Sequence, residues 1–495
     1  MSFPVPPTSR TTQLALLCGA VSVGVALKIA NGNFSSISVA LLFLAILAVL
    51  HAVAGKPIAI LERLSPRHVT LLTLIGAGVF LLFLLLPPML PPSVAANADV
   101  RIVPLLRDCG FVVPDPPDSG TPIMPLLVGC AIFGVTSVLL ALRSGRLARL
   151  LSAAAIACAL LLHFCGNLAA IGAAPAPASD VLVFQSAGLA SLMLGGNPYA
   201  VTFPDVAGDS AGHYPPELAA NGQLLFGFPY PPLSLFWLVP AWFAGSLVQS
   251  MHAIAFTLSA ALIAFTSRES LAKAAALLLM LMPVGPLVIC SGWTEPLVAL
   301  MLALTVLIAC RKPQWTGGGL GLFWAAKQYV PLLSPLSLLL VERESWRKQW
   351  PRLIAGALIV GAIVTLPMAL WDLPAFWHST VDVQLRQPFR PDAMSLLAAA
   401  HHAFGVTPPA WIAFVALAMV QALCLWRSPR TPAGFAAATA ASLLVFFAFN
   451  KQAFANYYFL VVAVCACALA ASGVQDSEPV DKHGKVARKV GTARR

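Results

Sequence analysis

The sequence predicts an all-α polytopic membrane protein, on three observations. Hydropathic stretches of about 20 residues recur from end to end, the length a helix needs to cross ~30 Å of hydrocarbon. Of the 495 residues, 59% are hydrophobic and only 10% charged, whereas soluble domains carry about 25% charged residues. The Lys and Arg residues gather in short loops between apolar segments: Lys56, Arg63, Arg67; Arg143, Arg146, Arg149; Arg343, Arg347, Lys348, Arg352; Arg427, Arg430. Cytoplasmic loops collect such residues and exported loops do not. The strand alternation of a membrane β-barrel is absent. The net charge of +11 fits positive loops set against anionic cytoplasmic lipid and calls for no nucleic acid. Of the ten cysteines, only Cys109 falls in a polar loop. No spacing suggests a disulfide framework or zinc.

The elements follow in order. Arg10 precedes the first apolar run, and no small-x-small cleavage site follows, so the run stays as a span. Spans are expected at Leu14–Ala30, Ile37–Ala54, Val69–Leu90, Ile123–Leu142 and Leu150–Gly172. With the N-terminus inside, Pro91–Pro122 and Ala173–Tyr230 are exported. Both loops are rich in proline, which argues for irregular structure over water. Ser267–Lys273 and Arg311–Lys312 are both basic, so Pro231–Thr266 must cross only once, with Pro231–Ala244 re-entrant or on the surface. Gly317–Val341 is also flanked by basic loops and must go in and come back. This predicts a short helical hairpin with Lys327 near its exported tip. Such backbone is tolerated at membrane depth only where protein or a water-filled cavity covers it. Leu353–Leu370, a short piece at Met394–Phe404, Trp411–Trp426, Gly434–Phe449 and Tyr458–Ala471 complete roughly 11–13 membrane helices. There is no convincing internal repeat, the signature of many secondary transporters.

The chemistry is expected on the exported side. From Gly172 to Pro232 there is no Lys or Arg, while Asp180, Asp205, Asp209 and Glu217 occur. The topology places Asp180, Asn197, Tyr230, Glu295, Lys327, Gln328, Arg386, Lys451, Asn456 and Tyr457 on that one side. An acid with several bases at a membrane–water boundary suits a substrate with an anionic head and an apolar tail. Asp180 opens a helix-like run that ends at Gly195-Gly196-Asn197-Pro198. Asp is favoured at a helix start because its carboxylate satisfies free amides, so cap and catalyst remain equal readings of the residue alone. A lysine between apolar helices often snorkels, yet an intramembrane ionisable residue marks function by default. Gly317 and Gly321 are spaced for close helix packing. His401-His402 lacks further ligands at metal spacing and reads as structural.

Five segments, "SDVLVFQSAGLASLMLGGNPY", "FPYPPLSLFWLVP", "GLGLFWAAKQYVPLLSPLSLLL", "QPFRPDAMSL" and "FNKQAFANYYFLV", run in the order seen in integral-membrane glycosyltransferases of the GT-C fold. The chain resembles the bacterial polyprenyl-phosphate-sugar-dependent transferases of the mannosyltransferase type, over about Leu150–Ala471. The resemblance implies a GT-C-like bundle in the bacterial inner membrane with an extracytoplasmic active site. It implies a polyprenyl-phosphate-linked sugar donor and a glycan, lipid or protein acceptor. Asp180 matches the acid that activates the acceptor hydroxyl in that family. Lys327, Gln328, Arg386, Lys451, Asn456, Tyr457, Tyr230, Asn197 and Glu295 become the substrate-binding candidates. Direct displacement would invert the anomeric centre. Many relatives carry two adjacent acids where Ser179 here precedes a lone Asp180, so a divalent metal stays open and no cofactor is certain. Phe184, Tyr199, Tyr214, Tyr230 and Trp293 are candidate sugar-stacking walls. Three regions are expected: a four-span region at 1–149, a catalytic core at 150–471 with the exported loop 173–230, and a basic disordered cytoplasmic tail at 472–495. The competing readings are a flippase of lipid-linked sugars and an envelope assembly subunit.

Overall fold

Long helices stand wherever the sequence carries about 20 apolar residues without a charge. The computed structural model describes residues 9–86, 123–173, 179–206 and 213–473. Cys109, Asp209, most of the loop 91–122 and nearly all of the basic tail lie outside the described residues. The first five helices are α1 (Arg10–Ala30), α2 (Ser36–Ala54), α3 (Pro66–Leu85), α4 (Ile123–Ala141) and α5 (Arg146–Ala173). Their ends follow local chemistry. The Ser9 side chain accepts from the Thr12 amide to start α1, and Asn31 in the left-handed region (φ 50°) ends it. An N-cap of this kind satisfies one of the orphan amides of the first turn.

After α6 (Asp180–Met193) and a small sheet come α7 (Pro232–Phe236), α8 (Val239–Ala244) and α9 (Val248–Ala264). The stretch Pro232–Ala244 meets α9 at 118°, a bend compatible with the expected re-entrant or surface placement of Pro231–Ala244. Then follow α10 (Ser270–Met280), α11 (Gly285–Cys290), α12 (Glu295–Arg311) and α13 (Thr316–Trp324), and the chain returns as a 3₁₀ stretch, Val330–Leu340. The tight 3₁₀ geometry and an internal Pro335 explain why this limb is not a regular span. The last long elements are α14 (Trp346–Ala369), α15 (Leu396–Phe404), α16 (Trp411–Arg427), α17 (Pro432–Ala448) and α18 (Ala455–Ser472). Among the described residues, seven helices are long and apolar enough to cross a membrane, or eight if the bent pair counts as one span. The sequence count of roughly 11–13 includes shorter apolar helices such as α10, α16 and α17.

Helix α18 is the central post, 94% of its apolar window being buried. Its run of Ala, Val and Cys lets α1, α10, α12 and α17 approach closely, the packing logic of small residues in membranes. The N-terminal helices are walls of this same body. Gln13 Nε2 donates to Ser472 Oγ at 2.9 Å, and Thr70 and Ser270 share a hydroxyl contact of 3.1 Å. One apolar core runs from Leu16 through Ala471.

The stretch after α6 corrects the expectation of irregular structure. Phe203–Pro204, Ala219–Ala220 and Gln223–Leu224 form a three-stranded antiparallel sheet in the order 1-3-2. Helix α6 and this sheet enclose a second core of Leu182, Phe184, Tyr199, Phe203, Phe226 and Phe228. Prolines interrupt helices here, but large aromatic side chains bury enough area to fold the segment. Phe184 and Tyr199 are therefore core residues, 2% and 1% exposed, and are not sugar-stacking walls.

Candidate active site

Asp180 is the first residue of α6 and is half-buried. Its Oδ1 accepts from the Val181 amide at 2.7 Å, and its Oδ2 accepts from the Tyr214 hydroxyl at 2.5 Å. The second bond spans 34 positions in sequence. Burial, then the Asp180 charge, push the Tyr214 phenol well above its ordinary range, so it stays a donor. The carboxylate is thus oriented by two donors and keeps lone pairs for a third.

A buried ion pair lies behind it. The turn Ser291–Thr294 follows α11, with Gly292 at φ +65°, and delivers Glu295 to the start of α12. Lys327 comes from the break between α13 and the 3₁₀ stretch. Its Nζ lies 3.1 Å from Glu295 Oε1, with side-chain exposures of 4% and 0%. It donates to Thr294 Oγ1 and sits 4.1 Å from the centre of the Tyr230 ring, a cation–π contact in a desolvated place. Beyond Lys327 on Oε1, no group among the described residues donates to Glu295, and its Oε2 is without a partner. Gln328 Oε1 and the Tyr329 hydroxyl, also buried, are likewise unpartnered. Tyr329 packs beside Tyr457 with ring centres 6.0 Å apart. The charges of Asp180 and Glu295 both reach Tyr230, Lys327 and Tyr457. The sequence set of Asp180, Tyr230, Glu295, Lys327, Gln328 and Tyr457 is therefore brought into one neighbourhood. Asn456, one residue before Tyr457 on α18, is buried.

Two hydrogen bonds hold the acid and the pair in register. Gln185, five residues into α6, donates to the Gly292 carbonyl at 2.6 Å and accepts from or shares a proton with His252 Nε2 at 2.6 Å. The helix bearing Asp180 is thereby tied to the turn bearing Glu295.

Arg386, Lys451 and Asn197 make their contacts elsewhere. Arg386 is 53% exposed and pairs with Asp382 at 2.8 Å. Lys451 Nζ donates to the carbonyls of Leu385 and Gln387 at 2.9 and 2.7 Å, stapling two loops together. Asn197 Oδ1 accepts from the Tyr199 amide, an Asx turn that ends the helix rather than a ligand contact. His402 stacks on Phe34 with ring centres 4.1 Å apart. Among the described residues no group of three or more His, Cys, Asp or Glu could hold a metal ion.

The rim holds a cation that sequence reasoning left outside the candidate set. Arg390 pairs with Asp392 through both carboxylate oxygens, at 2.8 and 2.6 Å. Arg390 and Asp180 both act on His213, the neighbour of Tyr214. The Arg390 side chain is 20% exposed and that of Asp392 48%. An exposed pair of this kind contributes about 0–1 kcal/mol. Removing one partner from a buried pair costs about 3–5 kcal/mol, because a charge is left uncompensated. Lys327 is therefore committed to Glu295, whereas Arg390 can exchange Asp392 for another anion at little cost. No spacing rule links Tyr214, Gln185, His252 and Arg390 to Asp180 or Glu295. Their signal in the sequence is only that polar residues interrupt apolar or aromatic segments.

Residues 228–449 match glycosyltransferase family 87. The match indicates a glycosyltransferase and is consistent with the GT-C-like resemblance of the motifs. The matched segment carries Tyr230, Glu295, Lys327 and Arg390, while Asp180 lies before it. No curated protein matches the chain. No solved structure matches it either. A sugar donor and an acceptor are the partners such a transferase requires, and the match weighs against a flippase without covalent chemistry.

Proposed function

We propose that this glycosyltransferase moves a sugar from a polyprenyl-phosphate donor to an acceptor hydroxyl at the extracytoplasmic face of the bacterial inner membrane, with inversion. The observation that carries the reading is the half-buried Asp180 carboxylate set close to the buried Glu295–Lys327 pair, where a membrane-spanning body meets an exported subdomain. A donor anchored by its lipid presents the anomeric carbon at that boundary. Asp180 takes the proton of the acceptor hydroxyl as the oxygen attacks the anomeric carbon. The bond from that carbon to the phosphate oxygen breaks, and its electron pair leaves with polyprenyl phosphate. Cationic side chains stabilise the charge that develops on the phosphate. Lys327 lies within electrostatic reach of Asp180, and Arg390 and Asp180 both reach His213. The mannosyltransferase subtype rests on the likeness of the five motifs alone.

Purified protein incubated with a panel of radiolabelled polyprenyl-phosphate sugars and candidate acceptors tests the reading. Consumption of one donor with release of polyprenyl phosphate, and a product of opposite anomeric configuration, is expected. Transfer from a nucleotide sugar and from none of the lipid donors would refute the donor class. A product that keeps the donor configuration would refute direct displacement.

A further inference from the structure

We propose that the Glu295–Lys327 pair is a charge-neutral subsite for the hydroxyls of the donor sugar, and that Arg390 at the rim receives the phosphate. The inference rests on the polyprenyl-phosphate reading above and assigns its two ends to different residues.

The argument starts from charge. Lys327 is the most buried cation of the site, and a buried cation near a candidate catalytic acid invites assignment to a phosphate. Its ammonium is already paired with Glu295, which is wholly buried. A phosphate brought to Lys327 would face the Glu295 carboxylate at close range with little water to screen the repulsion. Withdrawing Lys327 from Glu295 would leave that carboxylate uncompensated. Sugar hydroxyls meet no such opposition. They are neutral, and each both donates and accepts.

The free hydrogen-bonding capacity has the matching sign. Glu295 Oε2, Gln328 Oε1 and the Tyr329 hydroxyl lack partners among the described residues, and Glu295 Oε1 meets Lys327 alone. Three of these four atoms are acceptors only. Buried acceptors without donors are costly and rare. A pair of neighbouring hydroxyls donating to the two carboxylate oxygens satisfies them. Lys327, which lies over the Tyr230 ring and donates to Thr294, holds the carboxylate ionised and fixed. Tyr230 and Tyr457, which both lie within electrostatic reach of Asp180 and Glu295, join this pocket to the catalytic carboxylate. The sugar can then bridge from the buried pair to Asp180 through its own ring.

The phosphate end has a different setting. Arg390 presents its planar guanidinium to Asp392 through two parallel bonds, the geometry that also suits phosphate. Its present partner is half exposed to solvent, so exchange is easy. His213 lies within reach of both Arg390 and Asp180, which sets the leaving group beside the acid that starts the transfer.

Binding of farnesyl phosphomannose and its hexose epimers, and of plain farnesyl phosphate, to wild type, Glu295→Gln and Arg390→Gln in detergent tests the assignment. Glu295→Gln keeps shape and removes the charge. It should weaken the best phosphosugar by at least about tenfold, the scale of hydrogen bonds to a charged group, and leave plain farnesyl phosphate within about twofold. Arg390→Gln should weaken both lipids alike. Tighter binding of plain farnesyl phosphate to Glu295→Gln would overturn the assignment, because it would make Lys327 the phosphate ligand. Equal loss of both lipids by folded Glu295→Gln would overturn it too. If Glu295→Gln loses its thermal transition, Tyr329→Phe removes one hydroxyl from the same cluster and must show the same selective loss. Wild-type protein that binds no lipid of the panel would instead refute the donor class, leaving the two failures distinguishable.

Discussion

At the scale of single residues, the site is governed by who donates to a carboxylate. Asp180 has two neutral donors and remains half-buried, while Glu295 has only the Lys327 ammonium and is wholly buried. Asp180→Asn keeps the shape but cannot take a proton. Transfer should fall by roughly 10²-fold or more, the scale of losing a general base, while donor binding persists. Turnover near the wild-type value would remove Asp180 from the chemistry. Tyr214→Phe removes one charge-assisted bond and leaves the ring packing near Phe226. We expect kcat to fall about tenfold, as for the loss of a bond to a charged group, with KM nearly unchanged. A change in KM alone would make Tyr214 a binding residue. His213 supplies the pH dependence. Burial, then Arg390, lower its pKa from 6.5, against the opposing pull of Asp180, Asp392 and Asp205. A histidine lowered in the folded state contributes stability that is complete above its unfolded value and is lost as pH falls below it. The thermal midpoint of the wild type should therefore drop as pH falls below about 6.5, and that of His213→Gln should drop less. Parallel curves would show that His213 does not titrate differently on folding.

At the scale of elements, position is set by close approaches of backbone. Helix α13 lies on α14 through Gly317 and Gly321. A Cβ at Gly321 would meet the Ala357 carbonyl oxygen at 2.4 Å, and one at Gly317 would meet that of Leu353 at 2.8 Å. Backbone cannot yield as a side-chain tip can, so Gly321→Val must push the helices apart. Overpacking of this kind costs about 1–3 kcal/mol. Because Lys327 follows six residues later, we expect a lower melting point in detergent together with reduced transfer. A variant with unchanged melting and activity would show that the α13–α14 contact does not position Lys327. The glycine spacing in the sequence pointed to this contact, because a four-residue repeat of glycine lays a flat stripe on one helix face. The partner helix was not legible, since any neighbour with small residues would serve.

At the scale of the whole molecule, one body carries both the spans and the site. The subdomain of α6 and the small sheet has its own core, and the loop between α14 and α15 is tied to the α1–α2 loop by the Phe34 amide on the Asp392 carbonyl at 2.7 Å. This predicts a sidedness that labelling can check. In a background with Cys109 replaced by Ser, Glu217→Cys should react with an impermeant thiol reagent in intact cells. Lys348→Cys should react only after permeabilisation. The reverse pattern would invert the protein and remove the extracytoplasmic site. The four-span region at 1–149 is a proposal about function alone, for its helices share the core of the rest.

The sequence by itself determined the all-α membrane class, the positions of the long helices, the irregularity within Pro231–Thr266 and the break at Lys327. Each depends on local quantities, the length of an apolar run and the placement of Lys and Arg, which a chain carries wherever it folds. It also placed Asp180 at a helix start, because a proline-rich lead into an apolar run marks such a start. Only the tertiary structure decided what those residues meet. That Lys327 is neutralised by Glu295, that Tyr214 orients Asp180, and that Lys451 and Arg386 spend their charges on carbonyls and Asp382 follows from how helices and loops are turned about one another. Those rotations come from packing summed over many small contacts, and no spacing within a single segment records them.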